Sequence, residues 1–152
     1  MTDAGSPEAR LKAFEGEWTG EETLHPTPWA PGGSAQGRWT FHLDSSGRYL
    51  VHDYSEERQG GARFDGHGVL TPAQDGAGYL WFWFDSLGYI PTPPGTGSWD
   101  GNTLTLIRTS PRGSNRSVFT FAGDRFTLDI SFRGAADPVD TPVMSGTFQR
   151  GR

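Results

Sequence analysis

The chain has 152 residues and a formal net charge of −5, from 13 Lys and Arg against 18 Asp and Glu. A chain this acidic lacks the basic surface that neutralises phosphates, which argues against nucleic acid and anionic membranes as partners. The absence of cysteine excludes disulfides, thiolate metal sites and cysteine nucleophiles. The first residues lack the pattern of a secretory signal, and no apolar run approaches the roughly 20 residues that span a bilayer, so we expect a cytoplasmic protein.

The composition favours short strands and turns over helices. Glycine and proline are abundant, with 22 Gly and 11 Pro, and 13% of the residues are aromatic. At this length we expect one domain over residues 1–152, with residues 1–6 disordered.

One short helix is predicted near the N-terminus. Ser6 suits the N-cap and Pro7 suits the first helical position. Leu11 and Phe14 then give the helix one apolar face, and Gly16 ends it.

The remainder of the chain consists of alternating apolar and polar segments separated by short turns rich in Gly, Asp and Asn. These segments predict ten strands, at 17–24, 35–43, 48–58, 62–70, 78–85, 96–99, 102–109, 115–122, 125–133 and 142–149. Short turns make neighbours in sequence antiparallel neighbours in space, and ten such strands must close to avoid two exposed edges. The predicted fold is therefore an all-β, ten-stranded antiparallel up-and-down barrel with a short N-terminal helix.

Two longer connections interrupt the meander, at 25–34 and 89–96. Both are rich in proline and contain an aromatic residue, Trp29 in the first and Tyr89 in the second. Loops of this length are often lids or rims of a binding site, and plain surface crossings stiffened by proline are an equal alternative.

Alternation predicts which side chains point into the barrel. In strand 125–133 the inward residues are Phe126, Leu128, Ile130 and Phe132. For the central strands we take 44–47 as a turn with Gly47 in the left-handed region, which pairs Asp44 with Arg48. The more apolar face is then assigned to the interior and consists of Trp39, Phe41, Leu43, Tyr49, Val51, Asp53, Asp65, His67, Val69, Leu80, Phe82 and Phe84.

The opposite face of the same strands is assigned to the outside. It consists of Thr40, His42, His52, Tyr54, Gly66, Gly68, Trp81 and Trp83, with the two glycines leaving room for the two tryptophans. A one-residue slip at either turn exchanges the two faces, because side chains alternate with a period of two.

Two short motifs carry a resemblance to a known family. They are G-x-W-x-G at Gly16, Trp18 and Gly20, and the turn at residues 99–102 (Trp-Asp-Gly-Asn). Together with the helix, the long proline-containing loop and the meander, they resemble the calycin superfamily, and more narrowly the nitrobindin-like and related bacterial lipocalin-like barrels. The resemblance implies a barrel in which Trp18 plugs the closed end.

The same resemblance raises the question of a cofactor. Nitrobindins hold haem through a histidine near the C-terminus, whereas this chain has no histidine after His67. We therefore expect no histidine-ligated haem and no other cofactor.

The strongest polar pair is His67 with Asp53, which the predicted register places opposite each other on adjacent strands. An imidazole oriented by a carboxylate can act as a general base or anchor a ligand, and it can equally be a structural pair. His42 and His52 fall on the other face from His67, so the histidines do not converge and no metal site is expected.

The leading functional hypothesis is a module that binds or carries a small apolar or aromatic molecule in the barrel cavity. Its predicted ligand-binding residues are Trp39, Phe41, Val51, His67, Phe82, Phe84, Phe126, Ile130, Trp29 and Tyr89. The alternative is an isomerase, cyclase or hydrolase on the same barrel, with His67, Asp53 and Tyr49 as catalytic residues.

A third hypothesis is a purely structural homodimer. With Phe82 and Phe84 inside, Trp81 and Trp83 would form an exposed apolar patch larger than a monomer usually tolerates. A two-fold dimer would cover that patch. If the register is slipped by one residue, both indoles line the pocket instead.

Overall fold

The computed structural model describes residues 6–88 and 93–151. Within these residues ten antiparallel strands form a closed barrel, in which each strand pairs with its neighbours in sequence and β1 also pairs with β10. The strands are β1 (Gly16–Leu24), β2 (Gly33–Leu43), β3 (Leu50–Arg58), β4 (Arg63–Pro72), β5 (Tyr79–Asp85), β6 (Gly95–Asp100), β7 (Thr103–Ser110), β8 (Gly113–Ala122), β9 (Arg125–Gly134) and β10 (Thr141–Arg150). The predicted up-and-down barrel is confirmed.

A short helical segment precedes the barrel and closes one of its ends. It comprises α1 (Pro7–Arg10) and a 3₁₀ turn (Leu11–Phe14). Ser6 Oγ caps α1 by accepting from the Ala9 N–H at 3.1 Å, which satisfies one of the free amides of the first turn. None of the helices among the described residues is long and apolar enough to cross a membrane.

The closed end is packed with aromatic rings. Phe14 inserts from the 3₁₀ turn, with its ring centroid 4.7 Å from that of Phe121 and 4.9 Å from that of Phe41. Trp18 is fully buried beside Phe126 at 4.8 Å and donates its indole N–H to the Phe14 carbonyl at 2.7 Å. Burying each such side chain stabilises the fold by about 1.5–3 kcal/mol, so this end of the barrel is a solid core.

The loop between β2 and β3 sets a register that differs from the predicted one. Asp44 N donates to the Tyr49 carbonyl, and the strands pair Leu43 with Leu50. The predicted pairing of Asp44 with Arg48 is therefore wrong by one residue. The physical reason is the Asp44 carboxylate, which accepts from the backbone N–H groups of both Arg48 and Tyr49 and so lengthens the loop.

The slip reverses the two faces of β3, β4 and β5. The side chains that point inward are Leu50, His52, Tyr54, Glu56, Leu70, Tyr79, Trp81 and Trp83, with Gly66 and Gly68 on the same face. The interior assignment of the alternate residues is wrong for Tyr49, Val51, Asp53, Asp65, His67, Val69, Leu80, Phe82 and Phe84. Asp53 lies opposite His67, as predicted. His67 lies opposite Phe84, so these two residues share a face, also as predicted.

The proposed dimer patch does not exist in this arrangement. Trp81 and Trp83 are 5% and 6% exposed and belong to the core, so they cannot meet a second copy of the chain. The exposed aromatic side chains of β5 are Phe82 and Phe84.

Two glycines of β4 make room for the inward rings. A methyl group at Gly66 would overlap the six-membered ring of Trp83, and one at Gly68 would overlap the imidazole of His52. The expected steric role of the glycines is thus observed, with His52 as the neighbour of Gly68. Neither position tolerates a side chain without moving an aromatic wall.

We expect Gly66→Ala to lower the free energy of unfolding by about 1–3 kcal/mol, because the added methyl overpacks against Trp83. The matched control is Gly33→Ala, since Gly33 also lies in a strand and has no heavy atom within 4 Å of the added carbon. Urea unfolding measures both. Equal stability of the two variants would contradict the inward position of Trp83.

Candidate functional site

A cavity of about 580 Å³ occupies the half of the barrel away from the helical segment. It reaches the surface beside Trp29 of the β1–β2 loop and Leu87 after β5, which are 59% and 65% exposed. Its lining residues are Leu24, His25, Thr27, Trp29, Ala30, Pro31, Trp39, Tyr54, Glu56, Arg58, Arg63, Phe64, Trp81, Trp83, Asp85, Ser86, Leu87, Arg108, Asn115, Ser117, Phe119, Leu128, Ile130, Val143 and Met144. The β1–β2 loop therefore forms part of the rim.

Aromatic rings form most of one wall of the cavity. Trp81 and Trp83 have ring centroids 5.3 Å apart, and Trp83 is 6.1 Å from Trp39. Trp39 in turn meets Phe119 edge-on at 5.8 Å. Such a wall offers several ring faces and edges to a flat apolar ligand.

The predicted ligand-binding residues fall into four groups. Those that line the cavity are Trp29, Trp39 and Ile130. Phe41 and Phe126 are inside the barrel but deeper, in contact with Trp39 at 5.2 Å and with Phe119 at 5.5 Å. Those that lie on the outer face, contrary to prediction, are Val51, His67, Phe82 and Phe84. Tyr89 lies outside the described residues.

The predicted catalytic pair is in contact, but not in the cavity. His67 Nδ1 lies 2.6 Å from Asp53 Oδ1, as expected for opposite residues on adjacent strands. The two side chains are 52% and 63% exposed on the outer surface, and Tyr49 is 42% exposed. The barrel wall separates all three from the cavity because of the slip at Asp44.

A buried polar cluster that the sequence analysis did not identify borders the cavity. The Tyr54 hydroxyl lies 2.5 Å from Glu22 Oε2 and 2.8 Å from Glu56 Oε2. Arg58 Nε donates to Glu56 Oε1 at 2.6 Å. Glu22 and Glu56 are only 2% and 4% exposed, so two carboxyl groups share one protected environment.

The two carboxyl groups hold one proton between them. Burial raises the pKa of Glu22 to about 9, and the neighbouring Glu56 adds to this shift. Burial alone would raise the pKa of Glu56 as well, but hydrogen bonds from Glu22, Arg58 and Tyr54 lower it. Glu22 is therefore neutral and Glu56 ionised at neutral pH, while burial and both carboxyls raise the pKa of Tyr54 and keep it a hydroxyl.

The sequence contains a signal for this cluster. In β1 the inward residues alternate from Trp18 through Gly20 to Glu22, so parity alone places a carboxyl group inside. Gly37 lies on β2, the strand between β1 and β3, and a methyl group there would overlap the Glu22 carboxyl. A glycine beside an inward glutamate thus marks the space that the carboxyl occupies.

Two histidines near the cavity have ring partners. His52 is buried, its Nε2 accepts from the Trp81 indole N–H at 3.1 Å, and burial lowers its pKa to about 3, so it is neutral. His25 Nε2 lies 2.9 Å from Ser145 Oγ, which donates to Asp129 at 2.8 Å. The Ser145 hydroxyl thus donates its proton to Asp129. In a serine nucleophile activated by histidine, the hydroxyl donates to the histidine instead. Among the described residues no three His, Cys, Asp or Glu side chains converge as a metal site.

A family model described as "Protein of unknown function (DUF1579)" matches residues 3–150. No curated protein matches the sequence. Similar solved structures include Rv2717c from M. tuberculosis, at 15% identity and a TM-score of 0.70 over 96% of this chain and 98% of that one. The S-type phycobiliprotein lyase CPES from Guillardia theta is 13% identical, with a TM-score of 0.68 over 97% and 93%.

A designed protein has the same fold. The redesigned β barrel mFAP1, solved bound to DFHBI, is 17% identical with a TM-score of 0.53 over 92% of this chain and 97% of that one. At these identities the likeness to solved structures establishes the fold alone.

The neutral state of Glu22 makes stability depend on pH in a defined direction. Its pKa rises from an ordinary 4.5 to about 9 on folding, so its proton stabilises the fold fully below 4.5 and the gain is lost as the pH rises through 9. Between these values stability falls by at most about 1.4 kcal/mol per pH unit. Relative to Glu22→Gln, which is always neutral, the wild type should therefore lose about 1–3 kcal/mol between near pH 6 and near pH 8.

Urea unfolding of both proteins at the two pH values measures this difference. Glu21→Gln is the matched control, because Glu21 is the exposed neighbour on the same strand and should follow the wild type. Identical pH dependence of Glu22→Gln and the wild type would mean that Glu22 is ionised in the folded protein.

Proposed function

The chain belongs to the DUF1579 family of proteins of unknown function, and we propose that its barrel binds a small molecule with a flat aromatic or apolar body. The observation that carries this proposal is the cavity of about 580 Å³ beside Trp39, Trp81 and Trp83. Sites for small organic ligands are commonly about 300–1,000 Å³, concave and largely aromatic, with a few polar groups that orient the ligand.

The polar cluster supplies such an orienting group. Tyr54 and Glu56 line the cavity, and Glu56 is the ionised member of the carboxyl pair. Its charge is matched by Arg58, so the group is stable before any ligand binds. A ligand that places a hydrogen-bond donor here gains a charge-assisted bond while its rings contact the tryptophans.

Two structurally similar barrels support this proposal at the level of fold. One is a phycobiliprotein lyase and the other was solved with the small molecule DFHBI bound. A molecule bound to a designed barrel of the same fold supports the proposal that this barrel can also hold one. We also propose that the chain is related to the calycin superfamily, because its G-x-W-x-G start resembles that of calycins.

Histidine-ligated haem is not part of the proposal, because the histidines do not fit it. His25 is the histidine that lines the cavity, and its Nε2 faces Ser145. His52 lies beneath the wall with Nε2 occupied by Trp81. The enzymatic alternative is not carried forward either, since His67 and Asp53 are on the outer surface.

A neutral fluorophore, N-phenyl-1-naphthylamine, tests the proposal directly, because its emission rises on transfer from water to an apolar site. We expect it to bind the wild type, and Trp83→Leu to weaken binding about tenfold, or ~1.4 kcal/mol, since one ring wall is lost. Phe82→Leu is the matched control, because Phe82 is the adjacent aromatic residue on the outer face. Fluorescence titration gives the three dissociation constants.

The two variants separate the cavity from the surface. If the probe fails to bind the wild type, or if Phe82→Leu weakens binding as much as Trp83→Leu does, the cavity is not the site. Thermal unfolding confirms that both variants are folded at the titration temperature.

A further inference from the structure

A single arginine of β7 points into the cavity, and no acidic residue in the described part of the chain forms an ion pair with it. Arg108 shares the inward face of β7 with the buried Leu104 and Leu106. Its guanidinium carbon lies 5.4 Å from the Trp81 ring centroid. Gly95 of β6 gives it room, because a methyl group there would come within 2.9 Å of Arg108 Cγ.

The other two arginines of the lining are neutralised. Arg58 pairs with Glu56 at 2.6 Å, and Arg63 pairs with Asp65 at 3.2 Å. Arg108 has no hydrogen-bond acceptor among the described residues, and its Nε is fully buried without a partner. Its charge is therefore unmatched by direct contact.

Asp85 also lines the cavity, but its carboxylate is engaged elsewhere. Its Oδ2 accepts from the Trp83 indole N–H at 2.9 Å, and its Oδ1 accepts from the Leu87 N–H at 3.0 Å. Burial lowers the pKa of Arg108, and the charge of Asp85 partly offsets that effect. Arginine remains protonated at neutral pH in proteins, so the cavity contains a cation that lacks an oxygen acceptor.

Two further donors lie beside this cation. Asn115 of β8 is directly opposite Arg108, and Ser117 follows on the same inward face. Both line the cavity, and neither side chain is hydrogen-bonded within the described part of the chain. Opposite residues on antiparallel strands have Cβ atoms about 4.5–5.5 Å apart, so one small group can contact both side chains.

We propose that Arg108, Asn115 and Ser117 form an anion subsite, and that the ligand of the cavity is an aromatic or apolar molecule bearing one carboxylate or comparable oxyanion. A planar guanidinium binds such a group through two parallel hydrogen bonds, and the amide and hydroxyl complete its coordination. The assignment deepens the proposed function and depends on it.

The topology gives the cavity two opposite poles. In the closed barrel β8 is five strands from β3 in either direction, so the donors of β8 face Tyr54 and Glu56 across the interior. The ionised Glu56 repels an anion and attracts a donor. The ligand should therefore lie with its anionic end toward β7 and β8 and a hydrogen-bonding or neutral end toward β3.

The test uses two probes with the same ring skeleton. N-phenyl-1-naphthylamine is neutral, and 8-anilinonaphthalene-1-sulfonate adds one sulfonate to it. We expect Arg108→Gln to weaken binding of the sulfonate about tenfold or more, and to change binding of the neutral probe less than about threefold. Arg116→Gln is the matched control, since it removes the same charge from the exposed outer face of β8, outside the cavity, and should leave both probes within about threefold.

The outcomes separate this inference from the proposed function. If Arg108→Gln weakens both probes equally, or neither, Arg108 is not an anion anchor, even if the cavity binds the neutral probe. If the neutral probe does not bind the wild type, the proposed function fails. The anion subsite depends on that function and then fails with it.

A fold control completes the design. Arg108→Met keeps the aliphatic stem against Trp81 and Gly95 while removing the charge, and it replaces the Gln variant if that variant does not fold. Removing a half-buried charge that lacks an acceptor should leave the melting temperature unchanged or higher. A marked drop in the melting temperature of both variants would assign Arg108 a structural role and overturn the inference.

Discussion

The loop from Asp44 to Tyr49 fixes which side chains of three strands face the cavity. The Asp44 carboxylate accepts from the backbone N–H groups of Ser46, Arg48 and Tyr49, and hydrogen bonds from Tyr49 and Ser46 lower its pKa. Its own N–H donates to the Tyr49 carbonyl, so the loop closes at Tyr49. Because side chains alternate along a strand, this one closure places Trp81 and Trp83 inside and sends their neighbours outside.

The barrel is solid at one end and hollow at the other, and the division follows from where large and small residues lie. At the closed end the helical segment adds Phe14 to rings that already fill the interior, and Trp18 and Tyr79 donate to backbone carbonyls of that segment. At the open end β1 and β2 separate into a loop, and polar residues replace rings on β8. None of the described helical residues fills that half, and the space between Trp39 and Ser117 stays open.

The order and number of strands could be predicted because each turn has its own glycine or aspartate, and the contact of Asp53 with His67 followed from the register of one hairpin. The inward and outward faces of β3, β4 and β5 could not be predicted, because the Asp44 carboxylate in the β2–β3 loop shifts the register by one residue. On β3, β4 and β5 the outward face carries Val51, Val69, Phe82 and Phe84, and the inward face carries Leu50, Leu70, Trp81 and Trp83. The two faces are therefore about equally apolar, and their composition could not reveal the one-residue error in register. The Glu22 cluster could not be predicted from strand pairing alone, because it joins β1 and β3, which are not neighbours. It also depends on the space left by Gly37.

The unsatisfied polar atoms of the described residues lie on or next to the lining of the cavity. Among the described residues, the buried side-chain atoms without partners are Glu22 Oε1, Trp39 Nε1, His52 Nδ1 and Arg108 Nε. Trp39 and Arg108 line the cavity, and Glu22 and His52 are bonded to residues that do. Each unpaired buried group costs about 1–3 kcal/mol, and the aromatic packing of the closed end offsets that cost. If the proposed function holds, a ligand would satisfy the atoms of Trp39 and Arg108, the two residues of this set that line the cavity.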